Sequence, residues 1–163
     1  MKLYYIEMKS PVGKLKLVAD DKALVAVLWE KERLDRVKLP EMTKKAENSV
    51  LVETKKQLEE YFEGKRKVFK LPLAPLGTEF QKQVWNALRK IPFGVTKSYG
   101  ELASEIGNPK ASRAVGAANG KNPISIIVPC HRVIGSNGNL TGFAGGLEAK
   151  ATLLNIETKK TLK

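Results

Sequence analysis

The chain contains one cysteine, Cys130, and one histidine, His131, and the two are adjacent. One cysteine cannot form an internal disulfide, and one cysteine with one histidine cannot supply the four ligands of a structural zinc site. The 163 residues must therefore be held together by a hydrophobic core, and 42% of them are hydrophobic. This length is enough for one domain, or for two small lobes that share a core.

Residues 1–75 are predicted to form an N-terminal α/β structural lobe. Residues 30–47 are charged and are expected to be a loop, and apolar residues at helical spacing then predict a helix that ends at Gly64. Hydrophobic alternation before that loop predicts three strands, over residues 3–9, 14–18 and 23–29. The expected lobe is a small three-stranded sheet with one helix against it.

Residues 76–163 are predicted to form a mostly helical C-terminal domain, which makes the whole fold mixed α/β (α+β). Thr78 is the expected N-cap of its first helix. Ser98 and Glu101 have the spacing of a capping box for a short helix over residues 99–106. The next helix is expected to start with Asn108 as N-cap and Pro109 as its first residue, and to run to about residue 119.

The rest of the C-terminal domain is predicted to carry an active-site loop between two regular elements. An apolar run over residues 124–128 predicts a strand that leads directly to Cys130. Residues 142–146 form a glycine-rich loop, and a last helix is expected from residue 147 to about 156.

The two short helices joined by Gly107 have the layout of a helix-turn-helix, although a plain helical hairpin has the same pattern. The second helix carries mainly Ala and Gly with one long side chain, Arg113, so it cannot read many bases in the major groove. This profile is typical of a minor-groove binder that is indifferent to sequence. The net charge of +12 and the lack of Asp and Glu between residues 106 and 147 favour DNA as the partner over a merely solvated basic surface.

The adjacent thiol and imidazole predict nucleophilic chemistry. A lone cysteine is often a small buried hydrophobic residue, but here His131 is a proton acceptor beside it. Neighbouring side chains in an extended segment point in opposite directions, so a water molecule is the expected proton carrier between the two. The imidazole needs a carboxylate to fix its tautomer, and Glu148 and Glu157 are the candidates that follow the acid-free stretch. The pattern predicts a Cys-His-Glu relay.

Residues 78–157 resemble the O6-alkylguanine-DNA alkyltransferases, which are also called methylated-DNA–protein-cysteine methyltransferases. The resemblance rests on these motifs: Tyr99-Gly100-Glu101-Leu102-Ala103, Asn108-Pro109-Lys110-Ala111-Ser112-Arg113-Ala114-Val115-Gly116, Asn122-Pro123 and Pro129-Cys130-His131-Arg132-Val133. The Pro-Cys-His-Arg-Val segment is the most specific of them.

The resemblance implies direct DNA repair by an enzyme that acts once. The damaged guanine is flipped out of the duplex, and its O6-alkyl group is transferred irreversibly to Cys130, with O4-alkylthymine as a further possible substrate. No cofactor and no metal are expected. The implied partner is double-stranded DNA that contains alkylated guanine. The chain is expected to be a cytoplasmic monomer that reaches the nucleoid, with no membrane association and no obligate protein partner.

The resemblance also assigns roles to individual residues. The implied catalytic residues are Cys130 as the alkyl acceptor, His131 as the base, Glu157 as the carboxylate that orients His131, and Asn122 as a brace of the active-site turn. Arg113 is expected to occupy the gap in the base stack from which the damaged base has been flipped out. The carbonyls of Cys130 and Val133 are expected to accept hydrogen bonds from the guanine amino group. The full set of implied substrate-binding and DNA-binding residues is Tyr99, Lys110, Arg113, Ala114, Gly116, Val133, Phe143 and Ala144.

The glycine-rich loop departs from the family pattern at two positions. Phe143 stands where many relatives have Tyr, and Ala144 where some have Ser, so no side-chain hydroxyl is available at either position. The ring of Phe143 is still expected to wall the pocket, and the backbone N–H of Ala144 to reach the O6 atom. The zinc site of some relatives is absent.

Three other functions compete with this interpretation. A binding protein of the same fold senses alkylated guanine without reacting, but such relatives lack the cysteine. A helix-turn-helix transcription regulator needs base-reading side chains on its second helix. A cysteine hydrolase needs a histidine that reaches the sulfur directly, together with an oxyanion hole.

Overall fold

The structure is a computed structural model of the chain, and it describes residues 2–33, 36–135, 138 and 142–161. Its N-terminal part is one sheet in the order β3-β2-β1-β4, with β1 and β4 parallel and the other neighbours antiparallel. The strands are β1 (Leu3–Met8), β2 (Leu15–Ala19), β3 (Leu24–Trp29) and β4 (Met42–Lys44). The mixed α/β class is confirmed, but the sheet has four strands rather than the predicted three.

The fourth strand lies in the charged segment that was expected to be a loop. β4 pairs with the start of β1, where Leu3 lies opposite Met42 and Tyr5 opposite Lys44. β4 has only three residues, and only Met42 is apolar, so its sequence shows no alternation of apolar and polar side chains. Its strand conformation depends on pairing with β1. Helix α1 (Ser49–Phe62) follows and packs on the sheet.

The C-terminal part is mostly helical, as predicted. Its two short strands pair in parallel, with Lys97 opposite Val133. Cys130 lies at the start of a single 3₁₀ turn, Cys130–Arg132, directly before the second of these strands. The elements are α2 (Glu79–Arg89), β5 (Lys97–Ser98), α3 (Tyr99–Glu105), α4 (Ser112–Gly120), β6 (Val133–Ile134) and α5 (Leu147–Thr161).

Two helix boundaries differ from the predicted ones. Helix α4 starts at Ser112, and no side chain caps its N-terminus. Asn108 belongs instead to the end of α3, because its N–H donates to the Ala103 carbonyl at 2.9 Å, and a turn follows it. Helix α5 does not end at Glu157 but continues to Thr161. Glu157 is 1% exposed, and its side chain is a buried anchor rather than a surface acid at a helix end.

The two halves share one hydrophobic core, which contains side chains of the sheet, of α1 and of all the C-terminal helices. Backbone hydrogen bonds also join them, since the Val27 N–H donates to the carbonyl of Pro123 at 2.9 Å. The indole N–H of Trp29 donates to Ser125 Oγ at 3.1 Å. The division into domains at residue 75 stays a prediction. None of the described helices is long and apolar enough to cross a membrane.

The capping box before α3 gives a test of the local structure. Ser98 Oγ accepts from the Glu101 N–H at 3.1 Å, and the Ser98 N–H donates to Glu101 Oε1 at 2.9 Å. We expect Ser98→Ala to lower the free energy of unfolding by about 1 kcal/mol, because the Glu101 N–H at the start of α3 loses its acceptor. Chemical denaturation measures this change. The matched control is Ser104→Ala at an exposed position inside α3, which should change it by less than about 0.5 kcal/mol. Equal effects of the two substitutions would contradict the capping role.

Candidate active site

The backbone that leads to Cys130 is tightly wound instead of extended, which corrects the predicted strand over residues 124–128. The Ile127 N–H donates to the Ser125 carbonyl at 2.9 Å, and Ile126 between them has φ of +74°. Such a φ is strained for a β-branched residue. A second narrow turn follows, in which the Cys130 N–H donates to the Val128 carbonyl at 2.8 Å. Cys130 is therefore held at the end of two consecutive tight turns.

The side chain of Asn122 braces this winding from inside. Its Nδ2 donates to the Val128 carbonyl at 2.9 Å, and its Oδ1 accepts from the Ile124 N–H at 3.0 Å. Asn122 is fully buried, and its side chain acts to lower the pKa of the Cys130 thiol. The bracing geometry expected of Asn122 is therefore present, and its catalytic role stays a prediction.

The structure brings His131 and Glu157 together. His131 Nε2 lies 2.7 Å from Glu157 Oε2, and both side chains are buried. Glu148, the other candidate carboxylate, is exposed at the start of α5. An ionised carboxylate only accepts hydrogen bonds, so His131 Nε2 carries the proton and Nδ1 is the basic nitrogen. Nδ1 is buried and has no partner among the described residues.

Glu157 accepts hydrogen bonds from four residues. Arg132 reaches both oxygens, with Nε at 2.9 Å from Oε1 and a terminal nitrogen at 3.1 Å from Oε2. The Tyr61 hydroxyl donates to Oε2 at 2.6 Å, and the Gly94 N–H donates to Oε1 at 3.3 Å. Burial acts to raise the pKa of Glu157, but the hydrogen bonds from His131 and Arg132, together with the positive charge of Arg132, outweigh it and hold the pKa at about 2. The carboxylate is therefore charged at neutral pH.

The Cys130 thiol and the His131 imidazole are both neutral at rest. Burial raises the pKa of the Cys130 thiol, and this outweighs the opposing hydrogen bond from Asn122 and the positive charges of Arg36 and Lys150. Burial likewise lowers the pKa of His131, and the hydrogen bond to Glu157 offsets only part of that shift. The site therefore holds a protonated thiol beside an imidazole that is free to accept a proton.

Cys130 lines a cavity of about 260 Å³ between the two halves of the chain. The Phe143 ring packs edge-on against Trp29, with 5.4 Å between the ring centroids. A Cβ on Gly145 would lie 2.7 Å from the Trp29 ring, so only glycine allows the loop to come this close to β3. The other lining residues are Glu32, Arg33, Arg36, Asn119, Gly120, Gly142 and Ala144.

Sequence reasoning missed two charged residues beside this cavity. Arg36 is buried, pairs with Glu32 and donates to the carbonyls of Gly120 and Asn122 at 3.2 and 2.8 Å. Lys150 is fully buried, and its Nζ donates to the Val133 carbonyl at 2.7 Å. Lys150 shares the i, i+3, i+7 face of α5 with Leu153 and Glu157, and two charges on an apolar face were the available signal. Arg36 lies in a charged segment, so nothing in the sequence around it indicated a buried side chain.

Helices α3 and α4 present the surface predicted to bind DNA. Arg113 and Ala114 are exposed on α4, and Lys110 is exposed in the turn before it. Tyr99 at the start of α3 lies against α4, since a Cβ on Gly116 would be 3.7 Å from its ring. The opposite side of α4 packs inward. The residues implied for DNA binding therefore share one face of the helix pair, and their individual roles stay predictions.

Comparison with known proteins gives matches to both halves of the chain. Residues 79–159 match the DNA-binding domain of the 6-O-methylguanine DNA methyltransferases, and residues 3–75 match their ribonuclease-like domain. The methylated-DNA–protein-cysteine methyltransferase of Methanosarcina acetivorans is 52% identical over 155 residues, which are 95% of this chain and 98% of the relative. The constitutive Bacillus subtilis protein of that name is 46% identical, with 94% of each chain covered.

A solved structure agrees with these relatives. Mycobacterium tuberculosis OGT in complex with DNA matches with a TM-score of 0.88 and 43% identity, over 96% of this chain and 94% of that one. The class defined by fold and sequence is a methyltransferase that has a DNA-binding domain, so the prediction of an enzyme is confirmed. The chain belongs to the 6-O-methylguanine DNA methyltransferase family.

The hydrogen bond from Tyr61 to Glu157 gives a second test. Burial and the nearby carboxylate raise the pKa of Tyr61, so its hydroxyl keeps its proton and donates. We expect Tyr61→Phe to lower the free energy of unfolding by about 1.5–3 kcal/mol, because a hydrogen bond to a charged group is lost while the ring remains. Tyr5→Phe is the matched control, since it removes a hydroxyl from a half-buried ring on the sheet. Thermal and denaturant unfolding measure both, and equal losses would contradict a special contribution of the Glu157 contact.

Proposed function

We propose that the protein repairs DNA directly, by transferring an alkyl group from O6 of guanine to Cys130 Sγ. The observation that carries this proposal is the position of Cys130, which lines a cavity while a buried histidine–glutamate pair lies behind it. The relatives named above support the reaction class. A protein that only senses alkylated DNA has no need of a nucleophile backed by a base.

The transfer is a displacement at the alkyl carbon. His131 Nδ1 takes the thiol proton through a water molecule, while Glu157 stabilises the imidazolium that forms. The thiolate attacks the alkyl carbon, a C–S bond forms and the C–O6 bond breaks. The electron pair goes to the purine, which takes up a proton at N1 from water and leaves as guanine, while the His131 imidazolium returns its proton to the solvent. The thioether is stable, so each molecule acts once and no cofactor takes part.

Binding is proposed to occur from the minor groove through the α3–α4 face. Lys110 contacts phosphate, and the small residues Ala114 and Gly116 let the helix approach closely. Arg113 enters the stack as the damaged base turns out, and Tyr99 contacts the backbone beside it. A cavity walled by protein on several sides cannot accept a base that remains stacked in the duplex, so the base must be flipped. The protein is proposed to act as a monomer.

Inside the cavity, the ring of Phe143 lies against the base, and the Ala144 N–H donates to O6 as negative charge develops there. Polarisation of this oxygen is what makes guanine a good leaving group. The positive charge of Lys150 is proposed to stabilise the thiolate at Cys130, and Arg36 adds to it from the N-terminal half.

Mass spectrometry tests the proposed transfer. The protein is mixed with a duplex that contains one O6-methylguanine, and its intact mass and peptide map are recorded. We expect one added methyl group per molecule, on the peptide that contains Cys130, and none on Cys130→Ser, whose hydroxyl is a far weaker nucleophile. Selective binding of the lesion without any mass gain would favour the damage sensor. No gain and no selectivity would exclude both functions.

The pH dependence of the single-turnover rate tests the role of His131. The base must be neutral to accept the thiol proton, so the rate falls as the pH drops through the pKa of His131. Burial lowers that pKa below the ordinary value of 6.5, so we expect the acid limb to have its midpoint below 6.5. Rates are measured at saturating DNA so that binding does not contribute. A midpoint at or above 6.5, or an unchanged limb in His131→Gln, would contradict this assignment.

A further inference from the structure

Trp29, the last residue of β3, is bonded to the winding that holds Cys130. Its side chain is buried, with 6% of its surface exposed. The indole N–H donates to Ser125 Oγ at 3.1 Å. Ser125 belongs to the first of the two tight turns, since its carbonyl accepts from the Ile127 N–H at 2.9 Å. One side chain of the N-terminal sheet therefore fixes the start of the segment that leads to Cys130.

The same indole ring supports the glycine-rich loop. The Phe143 ring packs edge-on against it, with 5.4 Å between the ring centroids. Gly145 lies so close that an added Cβ would be 2.7 Å from the indole. Phe143 and Ala144 line the cavity, whereas Trp29 is not among the described residues that do so. Trp29 therefore supports the loop from behind, outside the space that a base would occupy.

The backbone of this loop needs such support. Three of its five residues, over positions 142–146, are glycines, which allow many backbone conformations. Its C-terminal end is fixed to α5, because the Gly146 carbonyl accepts from the Lys150 N–H at 3.1 Å. The middle of the loop rests on Trp29 through Phe143 and Gly145. The indole therefore determines how far Phe143 and Ala144 lie from the turn that holds Cys130.

We propose that Trp29 is a positioning residue for alkyl transfer, which fixes the glycine-rich loop relative to the turn that holds Cys130. This inference rests on the proposed function, because it concerns the alignment of Cys130 Sγ with the Ala144 N–H across the reacting base. The thiolate attacks the alkyl carbon while the N–H donates to the O6 atom that this carbon leaves. Both groups must be aligned at the same moment, and a rigid side chain in contact with both segments holds them so.

A double-mutant cycle between Trp29 and Gly145 tests this proposal. Trp29→Phe removes the indole N–H and narrows the ring, and Gly145→Ala places a methyl group against the ring. Single-turnover rates are measured at saturating duplex that contains O6-methylguanine, and the affinity for that duplex is measured in a Cys130→Ser background. We expect each substitution to slow transfer about tenfold while the affinity changes by less than about twofold. The double variant should be no slower than either single variant, because the smaller ring leaves room for the added methyl group.

A side chain that only fills the core would alter stability but not the rate of the folded protein. Val18→Ala is the matched control, since Val18 is fully buried on the sheet in a separate apolar cluster from the one that contains Trp29. It should lower the melting temperature and leave the transfer rate within about twofold. Thermal unfolding of every variant checks that rates are compared between folded proteins.

The outcomes separate this proposal from the function on which it rests. A Trp29→Phe rate within about twofold of the unmodified protein, or losses that multiply in the double variant, would overturn the positioning role. Failure of the unmodified protein to transfer the methyl group would refute the proposed function instead. If Trp29→Phe does not fold, Ser125→Ala removes only the acceptor of the indole N–H. It should slow transfer about fivefold, and an unchanged rate would equally overturn the proposal.

Discussion

The buried carboxylate of Glu157 is the interaction on which the rest of the site depends. It accepts hydrogen bonds from Tyr61 in α1, from the Gly94 backbone before β5, and from His131 and Arg132 in the 3₁₀ turn. A charged carboxylate out of water is stable only when its partners are all in place. Both halves of the chain must therefore be folded and docked before the pair beside Cys130 is complete. The N-terminal half thus takes part in the site as well as supporting it.

The pairing of Glu157 with Arg132 also contributes to the resting state of His131. A lone buried carboxylate would raise the pKa of His131 strongly, and the histidine would then hold a proton and be unable to accept another. Burial is the main cause that lowers the pKa of His131, and the positive charge of Arg132 adds to it, while the thiol stays protonated. On the proposed reaction, the thiolate forms only as the base is attacked. On the same proposal, this protects a nucleophile that is used once and is not regenerated.

Local signals in the sequence predicted the residue types of the site and several of its supports. The Thr78 N-cap of α2 and the capping box of α3 depend on residues within three positions of each other, and both are present. Contacts between distant segments had no such signal, since Tyr61 and Glu157 are 96 positions apart. The turns before Cys130 were missed for a related reason. Five mostly β-branched residues favour a strand, and only the side chain of Asn122 and the pairing with Val27 impose the winding.

Helix α4 connects the proposed DNA contact with the wall of the cavity that Cys130 lines. Arg113 lies in its first turn and Asn119 in its last, so about 9 Å of helix separates them at 1.5 Å per residue. Arg36 fixes the end of this helix by donating to the carbonyls of Gly120 and Asn122, and Asn122 in turn braces the turn that holds Cys130. A shift of α4 in the groove would therefore move Asn119 and the nucleophile together. On the proposed function, rigid coupling of this kind keeps the reacting atoms aligned whatever sequence surrounds the lesion, which suits a helix with only one long side chain, Arg113, to contact the bases.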